Sequence, residues 1–173
     1  GIDQRRLDGV RLVAAGFTNL TQDHLDYHGT MEAYFTAKSE LFTRLLPEGG
    51  TAVINAEGAR GPEMLGLAQA RGLKTLSVGR CEASDLRLLG QRFDATGQEL
   101  RFDWKGTAQQ LRLNLIGGFQ AENVLLAAGL VIAAGAPPRD VFAVLPQLTG
   151  VRGRMQLAAT RRNGAAVYVD YAH

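Results

Sequence analysis

The chain has 173 residues, room for one ordinary domain and too little for two. Hydrophobic residues make up 46% and charged residues 21%, enough apolar material for a core, which excludes a disordered or fibrous chain. Nineteen Lys+Arg against seventeen Asp+Glu leave a net charge of +2, and the basic residues are spread along the chain, so no nucleic-acid surface is indicated.

Residues 11–20 (RLVAAGFTNL) form an apolar run ending in polar residues, the pattern of a buried strand opening into a loop over 21–29. Thr30 can cap a following helix, Glu32 sits in its first turn, and apolar residues recur at Met31, Tyr34, Phe35, Leu41, Phe42 and Leu45 before Pro47-Glu48-Gly49-Gly50 stops it. Residues 51–55 read as a buried strand, 62–71 as a helix with proline in its first turn, and 74–78 as the next strand. This alternation predicts an α/β fold with a parallel sheet and crossover helices. Over 85–115 the texture changes to short alternating runs broken by Gly97 and Gly106, which predicts antiparallel strands, so the fold is mixed. Helices are expected over 121–134 and 139–148, separated by Gly135-Ala136-Pro137-Pro138. A hinge at 150–154 precedes two short strands, 156–160 and 165–171, joined through Asn163-Gly164.

The single cysteine, Cys81, excludes an internal disulfide and fits a reducing compartment, the cytoplasm. The first residues carry charge where a signal peptide needs an apolar run, and the most apolar stretch, 124–136, falls well short of the roughly 20 residues that cross a bilayer. Neither export nor a membrane partner is expected.

Two features carry chemistry. Lys38 is one of only three lysines and lies on the apolar face of its helix, three residues after Phe35 and four before Phe42. Desolvation there favours the neutral amine, which can add to carbon dioxide and become an anionic carbamate able to bind a metal. The alternative is a lysine whose stem carries its charge out to solvent. The second feature is the loop TQDHLDYH, where His24 and His28 interleave with carboxylates at the C-terminal end of a strand, the edge at which open α/β sheets bind ligands. Such a cluster serves a divalent cation or simply hydrogen-bonds its own loop.

The run TNLTQDHLDYHGTMEAYFTAKSELF, followed by LIGGFQAENVLLAAGL, GVRGRMQ and VYVDYAH, resembles the Mur ligases, and most of all the branch that adds the third amino acid of the peptidoglycan stem peptide. The resemblance covers essentially the whole chain. It implies an ATP- and Mg2+-dependent amide-bond ligase that joins meso-diaminopimelate or L-lysine to UDP-N-acetylmuramoyl-L-alanyl-D-glutamate through an acyl phosphate.

It implies a carbamate on Lys38, which would act in catalysis and hold a magnesium ion with His24. It implies contacts of Gln4 and Arg6 with the muramoyl dipeptide, and of Asn123, Arg154 and Asp170 with the adenine nucleotide. Gln120 stands where many relatives have asparagine, so no contact is assigned to it. Residues 1–150 would be most of the central ATPase domain, and 151–173 a linker and the first strands of a C-terminal domain. No lysine in the chain follows a glycine, so the phosphate-cradling G-x-x-x-x-G-K-[ST] loop is absent. The resemblance places that loop upstream of Gly1, so the segment is expected to be truncated at both ends, inactive alone, and prone to aggregate through an exposed sheet edge. Other ATP-dependent ligases of the superfamily, such as folylpolyglutamate or cyanophycin synthetases, are the alternative. A nonenzymatic α/β binding or scaffold module is a second.

Overall fold

The computed structural model describes residues 2–20 and 29–171. Its main sheet has six strands in sequential order: β1 (Ala14–Phe17), β2 (Thr51–Asn55), β3 (Lys74–Gly79), β4 (Leu86–Asp94), β5 (Gly97–Trp104) and β6 (Thr107–Leu113). β1 to β4 are parallel, and β4–β5–β6 continue the same sheet as an antiparallel meander. The mixed character expected over 85–115 is thus built into one sheet. The separate small sheet is the hairpin β7 (Gln156–Thr160) and β8 (Ala166–Val169).

Helix α1 (Met31–Glu40) connects β1 to β2, and α2 (Gly61–Ala70) connects β2 to β3. Thr30 caps α1 as its sequence predicts, its hydroxyl accepting the Ala33 N–H at 3.1 Å. The helix does not stop cleanly: it widens into a π-helical turn over Leu41–Leu45, closed by the Leu46 N–H on the Leu41 carbonyl at 2.9 Å. The connection from β3 to β4 has no helix. Only Val78–Gly79 pair with Leu86–Arg87, so the chain steps back by two residues and a short loop suffices where a fully paired parallel strand would need a long crossover. Asp85 fixes that step by accepting the Ser77 N–H and hydroxyl, both at 2.9 Å.

Alternate residues of β2 serve two cores. Ala52 and Ile54 face α1 and α2, packing with Tyr34, Phe35, Phe42 and Met64. Val53 faces the long helix α3 (Phe119–Ala133), with Leu76, Val78, Leu125 and Ala128. The sheet is therefore covered by helices on both faces. Gly129 lets α3 approach closely, since a Cβ there would stand 2.8 Å from the Val53 side chain. Helix α4 (Pro138–Val144) and a 3-10 turn (Leu145–Gln147) replace the single helix expected over 139–148, and Phe142 docks edge-on to Phe102, ring centres 5.0 Å apart.

The β7–β8 hairpin forms at the expected place with a longer turn than Asn-Gly alone would make. The Gly164 N–H returns to the Arg161 carbonyl at 2.9 Å, Gly164 alone takes a positive φ of 85°, and Asn163 accepts the Ala165 N–H with its side chain. No helix among the described residues is long and apolar enough to cross a membrane.

At the β4–β5 turn the Arg112 guanidinium grips Asp94 through two hydrogen bonds, at 2.6 and 2.9 Å, while Asp94 also accepts the Thr96 N–H and hydroxyl. These bonds, Arg112 first, hold the Asp94 carboxyl well below the usual carboxylate range. A depressed folded value means the stabilisation is present above the unfolded value of about 4 and is lost as pH falls towards the folded value. Between pH 7 and pH 2, Asp94→Asn should therefore lose less of its thermal midpoint than the wild type, and equal losses would contradict the assignment.

Candidate nucleotide and carbamate site

Among the described residues, Lys38 reaches the C-terminal end of β1, Asn123 sits on the second turn of α3, and the other predicted residues lie in segments before β1 and after Leu148. Lys38 leaves the last turn of α1 half-buried. Its Nζ donates to the Asn19 carbonyl at 3.2 Å, just past the end of β1, and lies 4.6 Å from the centre of the Tyr34 ring. The amine is thus held just past the end of β1 by one carbonyl and one aromatic face. The adjoining loop, with His24, lies outside the described residues. Among the described residues no group of three His, Cys, Asp or Glu side chains could hold a metal.

Arg60 secures the start of α1. It takes a left-handed conformation, φ 63°, lies over Phe35 at 3.9 Å and grips Glu32 at 2.8 and 3.1 Å. This pairing lowers the affinity of Glu32 for a proton.

Gln4 and Arg6 are exposed in the turns over residues 2–9. That segment is tied to the body of the protein by Asp8, which accepts a 2.7 Å hydrogen bond from Arg44 of the π-helical turn. Asn123 is exposed on the second turn of α3. Arg154 lines a cleft of about 460 Å³ with Asn114, Leu115, Gln120, Leu148 and Gln156. Gln120, to which the sequence assigned no contact, therefore shares a wall with Arg154. The Tyr171 N–H donates to the Gly153 carbonyl at 2.7 Å, which brings the backbone beside Asp170 back to the segment of Arg154. Lys38 is on α1, which covers one face of the sheet, and Gln120 of the cleft is on α3, which covers the other.

Sequence reasoning missed a polar network at the same edge. Asn55 is buried at the end of β2; its Oδ1 accepts the Glu57 and Gly58 N–H groups, and its Nδ2 donates to Glu122 at 3.3 Å. Glu57 accepts the Arg80 N–H at 2.6 Å and the Cys81 N–H. Arg80 reaches Glu122 at 3.7 Å and Gln91 at 2.7 Å, and Gln91 donates to the fully buried Gln98 and to the Gly118 carbonyl, each at 2.8 Å. One signal was available: Gln98 shares the buried phase of β5 with Leu100 and Phe102, and a polar side chain in an apolar phase needs partners.

The sequence profile described as the Mur ligase middle domain matches residues 1–131. Over all 173 residues the chain is 50% identical to the UDP-N-acetylmuramoyl-L-alanyl-D-glutamate--2,6-diaminopimelate ligase of Caulobacter vibrioides, and 45% identical to the protein of the same name from Zymomonas mobilis. It spans 35% of each of those relatives. A solved structure bearing the same ligase name superposes with a TM-score of 0.82 at 30% identity, over 93% of this chain and 33% of the other. The MurF ligase of Thermotoga maritima, solved in complex with ADP, shares the fold with a TM-score of 0.74 at 22% identity, over 88% of this chain and 34% of that one. The sheet with helices on both faces, the profile match and the chain-long identities agree, and the chain belongs to the Mur ligase family.

Proposed function

We propose that this chain is the middle portion of a cytoplasmic, ATP-dependent ligase that joins meso-diaminopimelate to UDP-N-acetylmuramoyl-L-alanyl-D-glutamate in peptidoglycan synthesis. The observation that carries the reading is identity of 39–50% along the entire chain to proteins named for that reaction. Residues 1–150 would belong to the ATPase domain and 151–173 to the linker and first strands of the next. In the reaction, a carboxylate oxygen of the dipeptide attacks the γ-phosphorus of ATP and ADP leaves. The amine nitrogen of the diamino acid then adds to the acyl carbon, the carbon–oxygen bond to phosphate breaks, and the nitrogen loses a proton to leave the amide.

Lys38 fits a carbamate. Its amine faces a neutral carbonyl and an aromatic ring among the described residues, and addition to carbon dioxide with loss of a proton would give an anion at the ligand edge of the sheet. The hard oxygens of that carbamate, with the His24 imidazole, would hold a magnesium ion. Bound there, the metal supplies positive charge against the transferring phosphoryl group. Arg154, from the wall of the cleft, would hold phosphate oxygens, Asn123 the adenine, and Asp170 the ribose. Gln4 and Arg6 would receive the dipeptide from their exposed turn.

The test is ligation by the full-length protein with ATP, the muramoyl dipeptide, and either meso-diaminopimelate or lysine, the products identified by mass. Product is expected with diaminopimelate and little with lysine. Equal rates would overturn the amino-acid assignment, and no product with either would overturn the ligase reading.

A further inference from the structure

Helix α3 begins without a side-chain cap, on Gly117 and Gly118. Glycines do not fix their own backbone, and Gly117 takes a φ of 107°, so the direction in which the chain enters α3 must be set from outside. The polar network does this at every point. Gln91 holds the Gly118 carbonyl at 2.8 Å, Gln98 holds the Leu115 and Gly117 carbonyls at 3.1 and 3.2 Å, and Glu122 in the first turn is held by Asn55 and Arg80. These side chains come from the last residue of β2, the residue after β3, the middle of β4 and the start of β5, so four strands bear on one helix end. Gln98 is fully buried with both its amide oxygen and its amide nitrogen satisfied, in a position where leucine would match the apolar phase of its strand. Asn55 and Gln98 are the buried members of the network, and satisfied buried polar groups specify one arrangement where apolar packing would tolerate several.

We propose that this network is a positioning device for the nucleotide: Gln91, as its hub, sets the entry of α3 and through it the placement of Asn123 against the adenine. The inference rests on the nucleotide reading of Asn123 given above. Gln91 is a positioning residue, acting through the Gly118 carbonyl.

Steady-state kinetics of the full-length ligase separate the possibilities. Gln91→Leu removes the bonds to Gly118, Gln98 and Arg80, and should raise KM for ATP roughly five- to tenfold, while KM for the muramoyl dipeptide stays within about twofold. Gln91→Glu can still accept from Arg80 but cannot donate to Gly118, and should show the same rise. Should Gln91→Leu fail to fold, Arg80→Met, at a half-exposed side chain, cuts the Gln91 and Glu122 contacts from outside and should raise KM for ATP about two- to fivefold. A merely structural role predicts a lower kcat or yield with KM for ATP unchanged, and that result overturns the proposal. If Asn123→Ala raises KM for ATP and the Gln91 variants do not, the positioning role falls and the nucleotide site stands. If none of them changes it, both fall.

Discussion

Lys38→Met should reduce ligation by the full-length protein on the order of 10²- to 10³-fold, the usual cost of removing one preorganised electrostatic group from a reacting centre. Methionine keeps the length and apolar stem that pack beside Tyr34 and loses only the amine that reaches the Asn19 carbonyl. Because Lys38 is half-buried and, among the described residues, donates to one carbonyl, the unfolding midpoint should hardly move. Lys38→Arg sharpens the interpretation. A guanidinium stays protonated and cannot form a carbamate, yet it can serve as a plain cation. Loss of activity in both variants supports the carbamate; activity retained by arginine alone would assign Lys38 a cationic role, and full kcat in Lys38→Met would remove it from the site.

Gly61→Ala should destabilise the fold by about 3 kcal/mol, at the upper end of ordinary overpacking. A Cβ at residue 61 would fall on the Asn55 carbonyl oxygen and stand 3.0 Å from the Ala56 carbonyl carbon. Those are backbone atoms at the end of β2 and cannot rotate aside, so the start of α2 must move. The movement would pull on Arg60, which holds Glu32 of α1, and on the turn that Asn55 organises. Gly66→Ala, in the middle of the same helix with open space around it, is the control, and its higher helix propensity should make it neutral or more stable by up to about 1 kcal/mol. Equal unfolding midpoints for the two variants would contradict the close approach of α2 to β2.

Much of the fold was legible because its signals are local. The apolar run of β2, the Thr30 cap, the proline at the start of α2 and the alternation over 86–113 each state their element within a few residues. Less legible was how those elements join. The step from β3 to β4 depends on Asp85 meeting Ser77, and the widening of α1 over Leu41–Leu45 has no residue signature of its own. The site divides similarly. Lys38 stood out physically as a cation among Tyr34, Phe35 and Phe42, and the structure puts its amine just past the C-terminal end of β1. Asn123, Arg154 and Asp170 are ordinary exposed polar residues, and only the resemblance singled them out. The network through Asn55, Arg80, Gln91 and Gln98 joins residues far apart in sequence, and only folding brings them together.

A ligase of the proposed kind activates a carboxylate with ATP before the amine attacks. The most direct test of that chemistry uses muramoyl dipeptide labelled with oxygen-18 in the glutamate carboxylates, incubated with the full-length protein, ATP and meso-diaminopimelate. One labelled oxygen is expected in each inorganic phosphate released, with one amide formed per ADP. Unlabelled phosphate, or ATP hydrolysis without amide, would contradict it.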